Sequence, residues 1–172
     1  MIEVSLYELA ERPEHQDSIL KSLETEPNIH ANKTLNNFIN ETIRLLSPVR
    51  FSMLREVMKP FSVNGFDFQV GDLFRLCFGA TMTNVKYFDD PWEFKPDRFN
   101  NPLEHPNSYM PFMGGPRNCI GQHMAMMELR VALTEILKKY RLERTTEHFQ
   151  VHMVGFLHQP IYNNLVKFIP RK

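Results

Sequence analysis

Cysteine is scarce in this chain: Cys77 and Cys119 are the only two in 172 residues. That is too few for a disulfide scaffold or a four-cysteine metal site. An excess of either charge is missing as well. Twenty basic and twenty acidic side chains leave a formal net charge of zero, which argues against wrapping nucleic acid or carrying a basic tail. No run approaches the roughly 18 apolar residues that a membrane span needs. The first residues lack a positive start, and Glu3, Glu8 and Glu11 interrupt them, so they do not read as a signal peptide. What is present is a hydrophobic content of 42%, enough for the core of one domain. Composition describes a soluble globular chain and leaves its chemistry to the motifs.

Helical signals fill residues 1–46. Leu6, Leu9 and Ala10 make a short apolar face that stops at Pro13. Proline suits the first turn of a following helix, where its missing N–H would be unpaired anyway. Ile19, Leu20 and Leu23 continue at helical spacing. After a break at Pro27 and Asn28, the positions Leu35, Phe38, Ile39, Thr42, Ile43 and Leu46 fall within about 140° of one another on a helical wheel, and Pro48 ends the run. Residues 47–80 read as strands. Asn64-Gly65 signals a tight hairpin, and Gly71-Asp72 a second turn before a strand over Leu73–Phe78. Residues 81–111 are rich in Pro, Asp and Asn and follow no local rule; irregular segments of that length inside a domain are usually functional or pinned by something else. A helix is expected over 122–143. Its apolar residues Ile120, Met124, Met127, Val131, Leu133, Ile136 and Leu137 cover several faces, as in a deeply buried helix. Residues 149–169 read as a final hairpin turning at Gln159-Pro160.

The informative stretch is residues 112–121, Phe-Met-Gly-Gly-Pro-Arg-Asn-Cys-Ile-Gly. It places Cys119 just before a long helix, where unpaired backbone N–H groups and the positive end of the helix dipole favour a thiolate. Gly115 and Gly121 remove side chains where a flat, bulky cofactor can approach the backbone. Arg117 offers a cation suited to a carboxylate at the cofactor's edge, and Phe112 an aromatic surface. Together they suit a thiolate ligand site for haem iron. Taken alone, Cys119 would be an ordinary small core residue. Cys119 and His123 could instead share zinc, but that needs two further ligands and no second clustered pair is present. The glycines are not followed by the Lys-Ser or Lys-Thr of a phosphate loop. Cys77, in a strand-like run, reads as buried filler, and Met124, Met126 and Met127 as core packing. Lys138, Lys139 and Arg141 complement the dipole at the helix end.

Phe112-x-x-Gly115-x-Arg117-x-Cys119-x-Gly121 resembles the haem-binding loop of the cytochrome P-450 family. Three further segments resemble that family in the family's order: Leu9-Ala10-x-x-Pro13-Glu14-x-Gln16, Glu41-x-x-Arg44, and Pro96-Asp97-Arg98-Phe99, the last with Asp where the family has Glu. The fold expected is mainly α with small β-sheets and hairpins (α+β). The resemblance implies the C-terminal portion of the family's single domain, without its central helix and N-terminal sheet strands.

It also implies roles. Cys119 would be the axial ligand of haem b, Arg117 would bind a propionate, and Arg55 is a second propionate candidate. Glu41 and Arg44 lie about 60° apart on their helix; the resemblance adds Arg98, so that the three pin the irregular segment and with it the cysteine loop. Residues 51–54 and Gly155, Phe156 and Leu157 resemble substrate-lining segments, whose apolar character suits a hydrophobic small molecule. Met82-Thr83 stands where relatives often carry His-Arg.

The activity implied is insertion of one oxygen atom from O₂ into an organic substrate, with electrons from an NADPH-dependent reductase. No catalytic residue is expected within the chain, because the oxygen-activating threonine would lie upstream of Met1. The chain alone is expected to be soluble, to bind haem weakly and to turn over nothing. A membrane anchor in the endoplasmic reticulum would belong to the N-terminal part. The alternative is a non-catalytic haem-binding or structural subunit.

Overall fold

The helix with the strongest apolar stripe organises the chain. In the computed structural model, which describes residues 1–145, 151–154, 157–160 and 166–171, α3 spans Lys33–Leu46. Leu35, Phe38, Ile39, Thr42 and Ile43 are all buried on it. Its start is fixed by Asn32, which is fully buried: Oδ1 accepts from the Leu35 N–H at 2.9 Å and from Ser22 Oγ at 3.0 Å, and Nδ2 donates to the Glu26 carbonyl at 2.9 Å. An N-cap of this kind stabilises a helix by ~1 kcal/mol.

Two helices precede it. Helix α1 runs Ile2–Glu11 and α2 runs Pro13–Thr25, with Pro13 in the first turn of α2. Helix α5, Gln122–Lys139, completes the group. Leu9 and Ala10 from α1, Ile19 and Leu23 from α2, the α3 stripe, and Leu129, Leu133 and Leu137 from α5 form one apolar cluster. Each large side chain buried there contributes about 1.5–3 kcal/mol.

Gln16, 1% exposed on α2, stitches this cluster to a strand. Its Nε2 donates to the carbonyls of Leu9 and Leu142, each at 2.8 Å, and its Oε1 accepts from the Leu142 N–H at 2.8 Å. One amide thus ties α1, α2 and the strand after α5 together.

The strands are short antiparallel pairs. Arg55–Glu56 (β1) pairs with Leu73–Phe74 (β4), and Phe61–Val63 (β2) with Phe66–Phe68 (β3). Asn64 and Gly65 take positive φ angles of 49° and 81°, as a tight hairpin demands. Tyr140–Arg144 (β5) pairs along its length with Val166–Pro170 (β8), and Val151–Val154 (β6) with Leu157–Pro160 (β7).

Five expectations need correction. The strand over Leu73–Phe78 stops at Phe74, and Phe78 opens the short helix α4, Phe78–Met82. Cys77 is exposed rather than buried filler, because it lies in the connection between a two-residue strand and α4 rather than within a strand. Helix α5 ends at Lys139 rather than 143, since Tyr140 onward is drawn into the ladder with β8. It is buried on one face only: Met124 is 67% exposed, and Met127 and Val131 are exposed too. Nor does 149–169 form one hairpin. Gln159 and Pro160 are the last residues of β7, and Val166–Pro170 pairs with β5. Gly155 and Phe156 lie outside the described residues, as does part of the expected hairpin.

Candidate functional site

The residues between α4 and α5 have little regular structure: Pro96–Asn100, Pro106–Ser108 and Gly115–Arg117 are single 3-10 turns. What holds the first part of this stretch is a buried ion cluster on α3. Glu41 and Arg44 are each fully buried. Arg44 meets the carboxylate with two parallel bonds, Nε to Oε2 at 2.7 Å and Nη2 to Oε1 at 2.9 Å, the strong bidentate geometry. Its Nη1 donates to the carbonyls of Met82 at 2.8 Å and Pro91 at 2.7 Å, and its Nη2 also reaches the Glu93 carbonyl at 3.3 Å. Glu41 Oε1 accepts further from the Lys95 N–H at 2.7 Å and from Arg98 Nε at 3.2 Å. Arg98 Nη2 in turn donates to the Asp90 carbonyl at 2.7 Å. Glu41, Arg44 and Arg98 are therefore one unit, and its bonds run chiefly to backbone groups of residues 82–95. It serves a segment that has no ladder of its own to satisfy those groups.

Aromatic contacts add a second tether. Phe94 packs against Phe38 of α3 and His15 of α2, with ring centroids 5.4 and 5.7 Å away, and the Arg12 guanidinium sits 4.6 Å above it. Further on, the Tyr109 hydroxyl shares its bonds between the carbonyl and Oδ1 of Asn40, both at 3.2 Å, and burial pushes its ionisation above the ordinary phenol range.

Next comes the cysteine loop. The Cys119 N–H donates to the Phe112 carbonyl at 2.9 Å, and the Asn118 N–H to that of Gly115 at 3.1 Å, closing residues 112–119 on themselves. Gly115 has φ +76°, with nothing within 4 Å of where a Cβ would sit. Met113 also takes a positive φ, +62°, a strained conformation for a residue with a side chain, of the kind found at functional loops. Gly121 caps α5, and a Cβ on it would lie 3.9 Å from Cys119 Sγ. Cys119 is exposed.

A cavity of about 600 Å³ lies against this loop. Of the residues singled out in the sequence it brings together Phe112, Arg117, Cys119, Arg55 and Met53. Gly115 and Gly121 stand in the loop behind them. The rest of the wall includes Ser47-Pro48-Val49 after α3, the start of α1 with Glu3, Pro111 and Met113 of the loop, and Ala125, Glu128 and Leu129 on α5. Leu129 belongs at once to this wall and to the apolar cluster of the helices. Thr83, one of the two residues departing from the common His-Arg, is occupied locally: its Oγ1 accepts from Arg50 Nη2 at 3.1 Å and donates to the Gly79 carbonyl at 3.0 Å.

Zinc at Cys119 and His123 finds no support, because no group of three His, Cys, Asp or Glu side chains is placed to share a metal among the described residues. No helix among them is long and apolar enough to cross a membrane.

Comparison with known proteins agrees with these motifs. A sequence model of the family described as Cytochrome P450 matches residues 1–167. Cytochrome P450 3A15 of Cavia porcellus is 35% identical over 147 residues, 78% of this chain and 29% of that protein. Cytochrome P450 4X1 of Mus musculus is 38% identical over 150 residues, 80% and 29% respectively. Cytochrome P450 4d2 of Drosophila melanogaster is 32% identical over 154 residues, 82% and 30%. The chain thus spans about 30% of the length of these relatives. With the cysteine loop, the Glu41–Arg44–Arg98 cluster and a family match over nearly all its residues, the chain belongs to the cytochrome P450 family.

Proposed function

We propose that this chain forms the cysteine side of a haem-thiolate monooxygenase, corresponding to the C-terminal portion of the family's domain, and that the whole protein oxidises an apolar organic substrate. The observation that carries the reading is the cavity in which Cys119, Arg117, Arg55 and Phe112 share one space.

The residues fit haem b. The donor set is a single accessible thiol, which is what a haem-thiolate centre needs from its protein. Two arginines without a carboxylate partner among the described residues line the same cavity, and each can bind a propionate. Nothing lies within 4 Å of where a Cβ on Gly115 would sit, so the loop's backbone is open to close approach at that point. When bound, such a haem supplies O₂ activation, with the thiolate pushing electron density toward iron and favouring O–O cleavage.

The protein's part is placement. The bond from the Cys119 N–H to the Phe112 carbonyl fixes the backbone that presents Cys119 to the cavity. Glu41, Arg44 and Arg98 fix the segment that feeds the loop. Met53 and Val49 give the cavity an apolar wall suited to a hydrophobic substrate. The oxygen-activating threonine is proposed to belong to another part of the protein, and the chain alone is proposed not to turn over substrate. An NADPH-dependent reductase as electron donor, and an anchor in the endoplasmic reticulum membrane on the N-terminal part, complete the proposal.

The test is a carbon monoxide difference spectrum of the haem-reconstituted, reduced chain. A thiolate-type Soret band is expected, unchanged in Cys77→Ser and abolished in Cys119→Ser. The same band in Cys119→Ser, or no haem taken up by the parent chain, would overturn the assignment.

Arg98→Ala tests the cluster's part. That residue contributes one of several bonds to Glu41, so the helices are expected to stay folded while the segment loses its bonds to the Asp90 and Glu93 carbonyls. The expected result is a marked fall in the haem-to-protein ratio after gel filtration. Normal haem incorporation would show that the cluster does not position the loop.

A further inference from the structure

The cysteine loop borders a second cavity, of about 370 Å³, that the reading above does not use. It shares the wall Pro111-Phe112-Met113 with the first cavity and is completed by α3 and the first turns of α5. Three thioethers, Met110, Met113 and Met126, give it an apolar floor. Methionine side chains are flexible and polarisable, and adapt to aliphatic chains of irregular shape.

The polar groups at its rim differ in what they already do. Asn40 is taken by the Tyr109 hydroxyl, and Gln122 and His123 face each other at 3.3 Å. Arg130 has donors to spare. Arg12, Arg44, Arg98, Arg144 and Arg171 each meet a carboxylate, whereas Arg130, like Arg55 and Arg117 of the first cavity, meets none among the described residues. Arg130 is half-buried, and its one hydrogen bond there runs from Nε to Asn36 Oδ1 at 2.7 Å. Loss of water around the guanidinium lowers its pKa from the ordinary arginine value. A partly desolvated cation is stabilised by an anion that can bond its remaining N–H groups. Beside an apolar floor, the complementary ligand carries one negative head and an aliphatic tail.

We propose that this groove is a binding site for an aliphatic monocarboxylate, its head paired with Arg130 and its tail laid on Met110, Met113 and Met126.

The experiment uses the 172-residue chain labelled with ¹³C at the methionine methyls and titrated with sodium octanoate. Saturable shifts are expected at Met110 and Met126, and also at Met113, which lines both cavities. Octanoate could also enter the first cavity beside Arg55 and Arg117, and Met53 reports that event separately. Arg130→Gln is expected to weaken the groove titration tenfold or more. Arg130→Lys, which keeps the charge, is expected to retain most of the binding, so that loss of charge is separated from loss of packing. Shifts confined to Met53 and Met113, absence of saturable shifts at Met110 and Met126, or equal affinity in Arg130→Gln would overturn the proposal. No haem is needed, so the outcome is independent of the haem assignment.

Discussion

Glu41→Ala is expected to destabilise the chain by ~3–5 kcal/mol, the usual loss when one partner of a buried ion pair is removed. Arg44 would remain fully buried, with its two carboxylate bonds gone. Domains commonly hold only about 5–15 kcal/mol in total, so the urea midpoint should fall steeply. The loss should also resist the usual rescue. Many buried ion pairs can be replaced by apolar residues at little cost. Here Arg44 also satisfies the carbonyls of Met82, Pro91 and Glu93, and Glu41 the N–H of Lys95. Glu41→Met combined with Arg44→Leu leaves all four backbone groups without these partners, and is expected to be at least as damaging as the single change. A loss under about 1 kcal/mol in Glu41→Ala, the range of an exposed pair, would show that the cluster is not buried as described.

Gln16→Ala should cost nearly as much. Removing this amide strips hydrogen bonds from the carbonyls of Leu9 and Leu142 and from the Leu142 N–H. Each buried polar group left unpaired costs about 1–3 kcal/mol, so a loss on the order of 3 kcal/mol or more is expected. Gln16→Glu is a sharper probe. Its carboxylate could still accept from the Leu142 N–H, but it would face two carbonyl oxygens that need a donor. Hydrogen exchange supplies the local readout: the Leu142 amide should lose protection in both variants, while amides within α3 keep theirs relative to global stability. Unchanged protection at Leu142 would rule out the stitch.

Much of this architecture could be read from the residues. The apolar spacing of α3 and the Asn64-Gly65 turn each carry their own local physics, and both stand as expected. The sequence also supplied Glu41, Arg44 and Arg98, although only the fold shows that their bonds run mostly to backbone carbonyls and N–H groups rather than to one another. What was not legible depends on partners distant in the chain. The end of α5 at Lys139 is set by pairing between Tyr140–Arg144 and Val166–Pro170, which no local pattern announces. The exposure of Met124 and Met127 follows from which side of α5 the other helices occupy, and apolar residues spread around the whole helix cannot specify that side. Gln16 belonged to a recognisable segment, yet its bonds to Leu142 cross 126 positions. The strain at Met113 gave no signal at all, since methionine has no preference for a positive φ.

The buried cap of α3 has one consequence beyond stability. Asn32-Lys33-Thr34 spells an acceptor sequence for N-linked glycosylation. In the folded chain the Asn32 side chain is wholly enclosed, and its amide nitrogen is bonded to the Glu26 carbonyl. An oligosaccharyltransferase cannot reach it there. A sugar attached before folding would sit on that nitrogen and block the closure of the helix that carries Glu41 and Arg44. The acceptor sequence is therefore silent in any copy that has folded, and a glycosylated copy cannot fold this way.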